Sequence, residues 1–325
     1  MTDLTEGYTA IVLISAAVFD FLVGDPWHWP HPVQGMGWLI QRYTNLAFKT
    51  TQSATVMKGL GILLTVLLVG GSAVVGWAAV AIAHWLHPWI GLSLEIILVA
   101  SCFAGRSLRD AAEDVLTPLT QGDIPTAREH LSRYVGRDTQ SLEQPEILRA
   151  VFETVAENSV DGIMGPLFYA LVGAATPLGS ASLSLAYKAA STLDSMVGYR
   201  EAPYTDIGWC SAKFEDALTW LPCRLTVLTL ALISRKPRTV IALCQRDAAA
   251  DPSPNSGWSE CAYAASLGVQ VGGTNVYKGV VKVKPLMGDP VQEITPNVIR
   301  ACLQLNRLCF LLWLGLGALL LYILE

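Results

Sequence analysis

Charge is scarce in this 325-residue chain: only 15% of its residues are Asp, Glu, Lys or Arg, where a soluble domain carries about 25%. At 52% hydrophobic residues the chain is too apolar for the disordered class. Basic residues are few as well. There are 22 against 27 acidic ones, for a formal net charge of -5, and no basic stripe offers the electrostatic footprint that nucleic-acid binding needs. Nucleic acid is not an expected partner. The seven cysteines (102, 210, 223, 244, 261, 302 and 309) contain no CxxC pair, and their odd number argues against a complete disulfide framework. They read as reduced, small core hydrophobes. The Walker pattern GxxxxGK[ST] is absent, so any nucleotide use is not P-loop chemistry. A signal peptide is not the expected reading of the first run either. The first apolar run, 9–23, lacks preceding basic residues, is interrupted by Asp20 and leads into Gly24-Asp25-Pro26, which reads as an uncleaved helix entering from outside.

What the chain has in abundance is long uncharged runs. Between residues 59 and 89 the only ionisable side chains are His84 and His87, and about 20 apolar residues cross a hydrocarbon core, so 60–86 is an expected span. Residues 90–105, apolar except for Glu95, return toward Arg106 and Arg109. The two runs make a transmembrane hairpin with a His87-Pro88-Trp89 turn, and the basic flanks Arg42, Lys49, Lys58, Arg106 and Arg109 put its ends in the cytoplasm. Residues 308–324 form a C-terminal anchor after Arg300 and Arg307. Residues 162–187 carry no charge, but an interruption at 173–179 divides them into halves too short to cross. A broken helix at membrane depth is tolerated where it lines a cavity, and a re-entrant hairpin is the preferred reading. Residues 217–233, with Pro222 and Arg224 inside, form either a further span or an interfacial helix. No repeat marks a boundary. The expected fold is all-α: one multi-pass integral membrane domain, 1–325, with a helical transmembrane bundle, a re-entrant broken helix and cytoplasmic helical and loop segments.

The densest polar constellation precedes that broken run. Arg149, Glu153, Glu157 and Asp161 repeat every four residues, on one drifting helix face where carboxylates repel. Something cationic must compensate. Either the face is solvated and Arg149 neutralises Glu153, or the carboxylates hold Mg2+, which takes one or two of them together with phosphates and water; charge beside a membrane run favours the second reading. After the run, Lys188, Thr192, Ser195 and Tyr199 share a stripe suited to phosphate oxygens, with Asp194 off it. Lys188 is alternatively a snorkelling membrane lysine. If 162–187 folds back on itself, the Glu157 and Lys188 ends meet. Asp206, Glu215 and Asp216 form another acidic group. The stretch from Asp251 to Glu260, containing Asn255 and Ser256, reads as a loop opening a helix, whose free N–H groups would suit an anion. Gly272-Gly273 with Asn275 and Tyr277 reads as a turn or a close backbone approach to ligand. Asp25, His28 and His31 lack a third histidine or cysteine nearby, which favours substrate contact or packing over zinc.

Taken together, Gly24-Asp25-Pro26 with His31-Pro32, Glu153 to Gly162, Ala186-Tyr187-Lys188, Thr192 to Met196, Gly208-Trp209, Pro252 to Trp258, and Gly272-Gly273 with Asn275 and Tyr277 resemble the CobD/CbiB family of adenosylcobinamide-phosphate synthases. The matching segments keep one order over most of the chain; Ser159 and Cys210 depart from the family's Thr and Ala.

The resemblance implies a multi-pass enzyme of the cell inner membrane, its active site facing the cytoplasm. It would join adenosylcobyric acid to (R)-1-amino-2-propanol or its O-phosphate by an amide bond, with ATP and Mg2+. Its partners would be the corrinoid, the aminopropanol and the lipid bilayer, with a homo-oligomer or a complex with other late cobalamin-pathway enzymes left open. In that picture Glu153, Glu157 and Asp161 hold Mg2+ or act as base, and Lys188 stabilises phosphate. Asp25, His31, Asn158, Asp194, Ser195, Asn255, Ser256, Gly273, Asn275 and Tyr277 meet substrate or nucleotide. The competing class is a non-enzymatic AmpE-like membrane sensor or transport component.

Overall fold

A computed structural model describes residues 7–26 and 29–324; His28 of the N-terminal motif lies outside the described residues. The chain is 74% helical. The helices are α1 (Tyr8–Leu22), α2 (Pro32–Thr50), α3 (Ala54–Leu86), α4 (Pro88–Ala100), α5 (Gly105–Thr120), α6 (Ile124–Leu131) and α7 (Gln144–Ser159). A π turn, Val160–Met164, carries α7 into α8 (Gly165–Ala174). Then follow α9 (Ser180–Val197), α10 (Trp209–Ile233), α11 (Pro237–Asp247), α12 (Ser256–Leu267), strands β1 (Val271–Tyr277) and β2 (Val280–Met287), and α13 (Pro296–Leu324).

Among the described residues four helical stretches are long and apolar enough to cross a membrane: Ala54–Leu86, Pro88–Thr120, which is broken by a turn at 101–104, Trp209–Ile233 and Pro296–Ile323. The most apolar window of α3 is only 17% buried, so Leu63, Val66, Val74 and Val75 point outward and need an apolar solvent. The chain is a polytopic membrane protein. Helices α3 and α13 start well before their apolar runs, because a helix needs only a capped start and tolerated residues, whatever its polarity. At α13 the Thr295 hydroxyl accepts from Val298 N–H at 3.3 Å and Pro296 takes the first position, where its missing N–H costs nothing.

The chain divides into two compact units, each discontinuous in sequence: residues 1–104, 165–219 and 312–325, and residues 105–164 and 220–311. In the first, α3 and α4 pair as expected, and α8 and α9 fold back on each other about the 175–179 turn. Gly165 has no room for a Cβ, which would fall 2.4 Å from the Tyr187 ring. Tyr187 stacks on Tyr169 at 5.0 Å and shares a hydrogen bond of 2.9 Å with Thr219, whose hydroxyl reaches the buried Glu215.

In the second unit, α5, α6, α7, α11 and α12 pack around a buried face of α7 and carry the β-hairpin. The hairpin corrects the reading of 272–279 as a plain turn. Its Lys278-Gly279 bend has positive φ at both positions, 50° and 78°, which suits the twist of a two-residue hairpin. The alternation in Val281-Lys-Val-Lys284 was the available strand signal. At Gly272 φ is 90°, and a Cβ there would fall 1.9 Å from the Pro285 carbonyl oxygen.

Candidate functional site

The acidic face of α7 folds as a helix because a capping box at Glu143 and Glu146 and a proline at Pro145 start it. Its carboxylates then meet different fates. Glu153 is buried and saturated: Arg137 donates to Oε2 at 2.5 Å, Arg149 to Oε1 at 3.2 Å, and Gly272 N–H to Oε1 at 2.9 Å. The same arginines hold the hairpin. Arg149 donates to the carbonyls of Gly272 and Thr274, and Arg137 to Asn275 Oδ1 at 2.9 Å. Thus Glu153, Gly272 and Asn275, on segments more than a hundred residues apart, form one buried clamp. The cation expected beside the acidic face is supplied here by guanidinium groups.

Glu157 is different. Its side chain is open to solvent, and no hydrogen bond to its carboxyl is present among the described residues. Although the residue keeps an exposed surface, the protein packed around its carboxyl raises the pKa, desolvation being the largest cause, and the charges of Asp251 and Glu153 add to it against Lys284 and Arg137. Asp161 lies in the π turn, where the wider hydrogen-bonding step breaks the four-residue stripe. Asn158 is exposed and donates to Thr154 O.

The clamp brings β2 against α12, and with it a residue the sequence did not single out. Lys284 Nζ lies 2.5 Å from Glu260 Oε1 and 3.7 Å from Asp251 Oδ2. Burial alone would lower the Lys284 ammonium, but Glu260, Glu157 and Asp251 together push it up. Burial likewise pushes the Glu260 carboxyl well up, against the pull of Lys284. Two carboxylates, Glu260 and Asp251, pair with this one ammonium, and repulsion among neighbouring acids adds to burial in raising Glu157 and Glu260. Lys284 and Arg137 carried no sequence signal, because only the folded hairpin brings them to α7 and α12.

The loop before α12 is gripped from beneath. Arg224 donates to Pro254 O at 2.9 Å and lies 4.2 Å over the Trp258 ring. Asn255 is buried and its carbonyl accepts from Cys223. The N–H groups expected to await an anion are partly used: Ser253 Oγ accepts from Asn255 and Ser256, and Asp251 Oδ1 accepts from Ser253. Gly273 continues the positive φ of Gly272 at 89°, and Tyr277 faces Lys282, whose Nζ lies 5.4 Å from its ring centroid.

The remaining candidates sit in the other unit. His31 caps α2, its Nδ1 accepting from Val33 N–H at 3.2 Å, and its Nε2 lies 3.2 Å from Asp25. Lys188 is half-buried and forms no ion pair among the described residues. The stripe beside it is less available than expected: Thr192 and Ser195 donate to the carbonyls of Lys188 and Thr192, so these hydroxyl protons serve the helix. Asp194 packs against Gly198.

This arrangement meets known proteins over nearly its whole length. A model of the family described as CobD/Cbib protein matches residues 13–306. The chain belongs to the CobD/CbiB family. It is 51% identical over 308 residues to the cobalamin biosynthesis protein CobD of Synechocystis, covering 94% of this chain and 90% of that one. To CbiB of Salmonella arizonae it is 40% identical over 301 residues, covering 91% and 92%. To CobD of Halalkalibacterium halodurans it is 41% identical over 319 residues, covering 94% and 96%. No solved structure matches. Membership places the chain in cobalamin biosynthesis.

Proposed function

We propose that the chain catalyses ATP-dependent amide formation between adenosylcobyric acid and (R)-1-amino-2-propanol or its O-phosphate, at a site facing the cytoplasm of the inner membrane. One observation carries this reading. Glu157 is solvent-accessible, without a hydrogen bond to its carboxyl among the described residues, and raised in proton affinity within the field of Lys284 and its acidic neighbours, as suits a base for an amine.

Amide formation needs an activated carboxylate and an amine stripped of its extra proton. ATP with Mg2+ would supply the phosphoryl group that activates the corrinoid acid as an acyl phosphate. For Mg2+ the residues fit only in part. Glu153 does not fit, since its oxygens hold two guanidinium groups and an amide. Glu157 does, as an open carboxylate of the kind Mg2+ binds alongside phosphate and water, and Asp161 follows it four residues further along the chain. Among the described residues no three His, Cys, Asp or Glu side chains make a ready metal cage. Glu157 would hold Mg2+ or take the proton that the ammonium sheds before the free amine attacks the acyl phosphate and displaces phosphate, and Lys284 would hold the surrounding carboxylates in place. Lys188, half-buried and without an ion pair among the described residues, is proposed to contact phosphate. Asp25, His31, Asn158, Asp194, Ser195, Asn255, Ser256 and Tyr277 remain proposed contacts of corrinoid, amine or nucleotide. Gly273 and Asn275 are assigned to positioning the hairpin.

The decisive experiment incubates the purified protein with adenosylcobyric acid, aminopropanol or its phosphate, and ATP. Product is followed by mass and ATP hydrolysis in parallel. Amide product dependent on all three substrates supports the reading; no product with either amine would leave the non-enzymatic class.

A further inference from the structure

A groove of about 720 Å³ runs between α2 and α3 in the first unit. Its walls are two facing stripes, drawn from residues 32–46 of α2 and 64–79 of α3 at three- and four-residue steps, the spacing that puts side chains on one helix face. Met36, Leu64, Leu68 and, from α9, Leu185 close its floor as one buried cluster. Trp38, Leu67 and Val75 stand more than half exposed at its rim. Apart from Arg42, Tyr43 and Ser72 the lining is apolar or glycine. Glycine keeps the groove open: a Cβ at Gly35 or at Gly71 would meet nothing within 4 Å. The α3 wall is about 22 Å long at about 1.5 Å per residue. That length holds an acyl chain from headgroup depth to the middle of a hydrocarbon core about 30 Å thick.

The one formal charge among the lining residues is positive. The Arg42 guanidinium lies 5.6 Å from the Trp38 ring centroid, and it forms no ion pair among the described residues. Tyr43, its neighbour, donates its hydroxyl to Leu60 O at 2.9 Å, which puts the arginine beside the start of the α3 apolar run. Lys49 and Lys58 flank the same end, the flank that points to the cytoplasmic leaflet, where anionic lipids concentrate. A guanidinium at that depth suits a phosphodiester, whose oxygens accept its N–H groups in pairs, while the rest of the groove suits hydrocarbon. A helix of a second copy fits less well. The outward-facing apolar helices α3 and α13 contain no carboxylate, so either would leave Arg42 unmatched.

We propose that the α2–α3 groove binds one anionic phospholipid, with its phosphate on Arg42 and an acyl chain between the two stripes. The site lies apart from the ligase reading and is tested without ATP or corrinoid.

The experiment adds phosphatidylglycerol or phosphatidylcholine, with the same palmitoyl and oleoyl chains, to delipidated full-length protein in a neutral detergent. Adducts are counted by native mass spectrometry and thermal unfolding is recorded alongside. The parent is expected to take one phosphatidylglycerol saturably and roughly tenfold more tightly than phosphatidylcholine, the share of a charge-assisted contact. Arg42→Gln should bring phosphatidylglycerol down to the level of phosphatidylcholine. Gly71→Leu, which projects a side chain into the groove, should weaken both lipids roughly tenfold with Tm unchanged or higher, since leucine is the better helix former. Gly35→Leu carries the same expectation from the opposite wall, and the two glycine variants keep the test valid if Arg42→Gln does not fold. Equal binding of the two lipids by the parent would overturn the site, as would unaltered phosphatidylglycerol binding in both glycine variants. A dimer mass that Gly71→Leu abolishes would overturn it too, assigning the groove to a second copy of the chain.

Discussion

Glu153 and Glu157 stand one helical turn apart and have opposite work. Glu153 is buried between two guanidinium groups, so Glu153→Gln should leave uncompensated buried charge and cost about 3–5 kcal/mol, read as a large fall in Tm. Glu157→Gln should do the reverse. Its carboxyl is raised, so the folded state loses stability as pH climbs from the ordinary glutamate value of 4.5 through the raised one. Removing the titration should leave stability unchanged at acid pH and raise it at neutral pH. Amide formation should meanwhile fall by roughly 10²–10⁴, the usual share of a positioned base, and the acid limb of the parent's pH–rate profile should lie above pH 4.5. A Glu157→Gln variant that is destabilised and still active would contradict both halves. Lys188 offers a third contrast. A snorkelling lysine accepts arginine, whereas a compact phosphate contact tolerates the broad guanidinium poorly. Lys188→Arg is expected to lose about a hundredfold in turnover with unchanged extracted yield. Activity within about threefold of the parent would favour snorkelling.

At the scale of elements, the hairpin is what assembles the acid-lysine cluster, and Gly272 is what lets it dock. Alanine there would face a Pro285 carbonyl and a φ of 90°, a strain worth on the order of 1–3 kcal/mol before the clash is counted. Hydrogen exchange should rise across 271–287 in Gly272→Ala while the amides of α5 and α6 keep their protection. Uniform loss of protection would mean that the hairpin is integral to the whole unit. The π turn after α7 acts on the same logic in the other direction: by widening one turn it takes Asp161 off the Glu153–Glu157 stripe. Nothing in the four-residue spacing of the carboxylates announces that turn, since periodicity assumes the regular helix it interrupts.

For the whole molecule, cysteine labelling reads the orientation. Gln140 and Ser253 belong to one compact unit, so both should lie on one side of the membrane, and the basic flanks of the α3–α4 hairpin predict the cytoplasmic side. Single cysteines at these positions in a cysteine-free background should resist an impermeant reagent on intact cells and react after lysis. Strong labelling of either from outside would invert the arrangement.

Helical class, the α3–α4 hairpin and the α8–α9 interruption were legible from residue order alone, because hydrophobic run length and prolines act locally and the bilayer requires apolar length. The acidic segment of α7 was legible as a candidate for the same reason: its carboxylates are close in sequence. What residue order did not disclose is which carboxylate is a clamp and which is free, because the partners that decide it, Arg137, Gly272 and Lys284, are remote in the chain. Tertiary contact alone brings them within hydrogen-bonding distance of α7 or its neighbours. The physical reason is that a carboxylate's proton affinity and availability are set by burial and by the charges around it, and neither exists until distant segments pack.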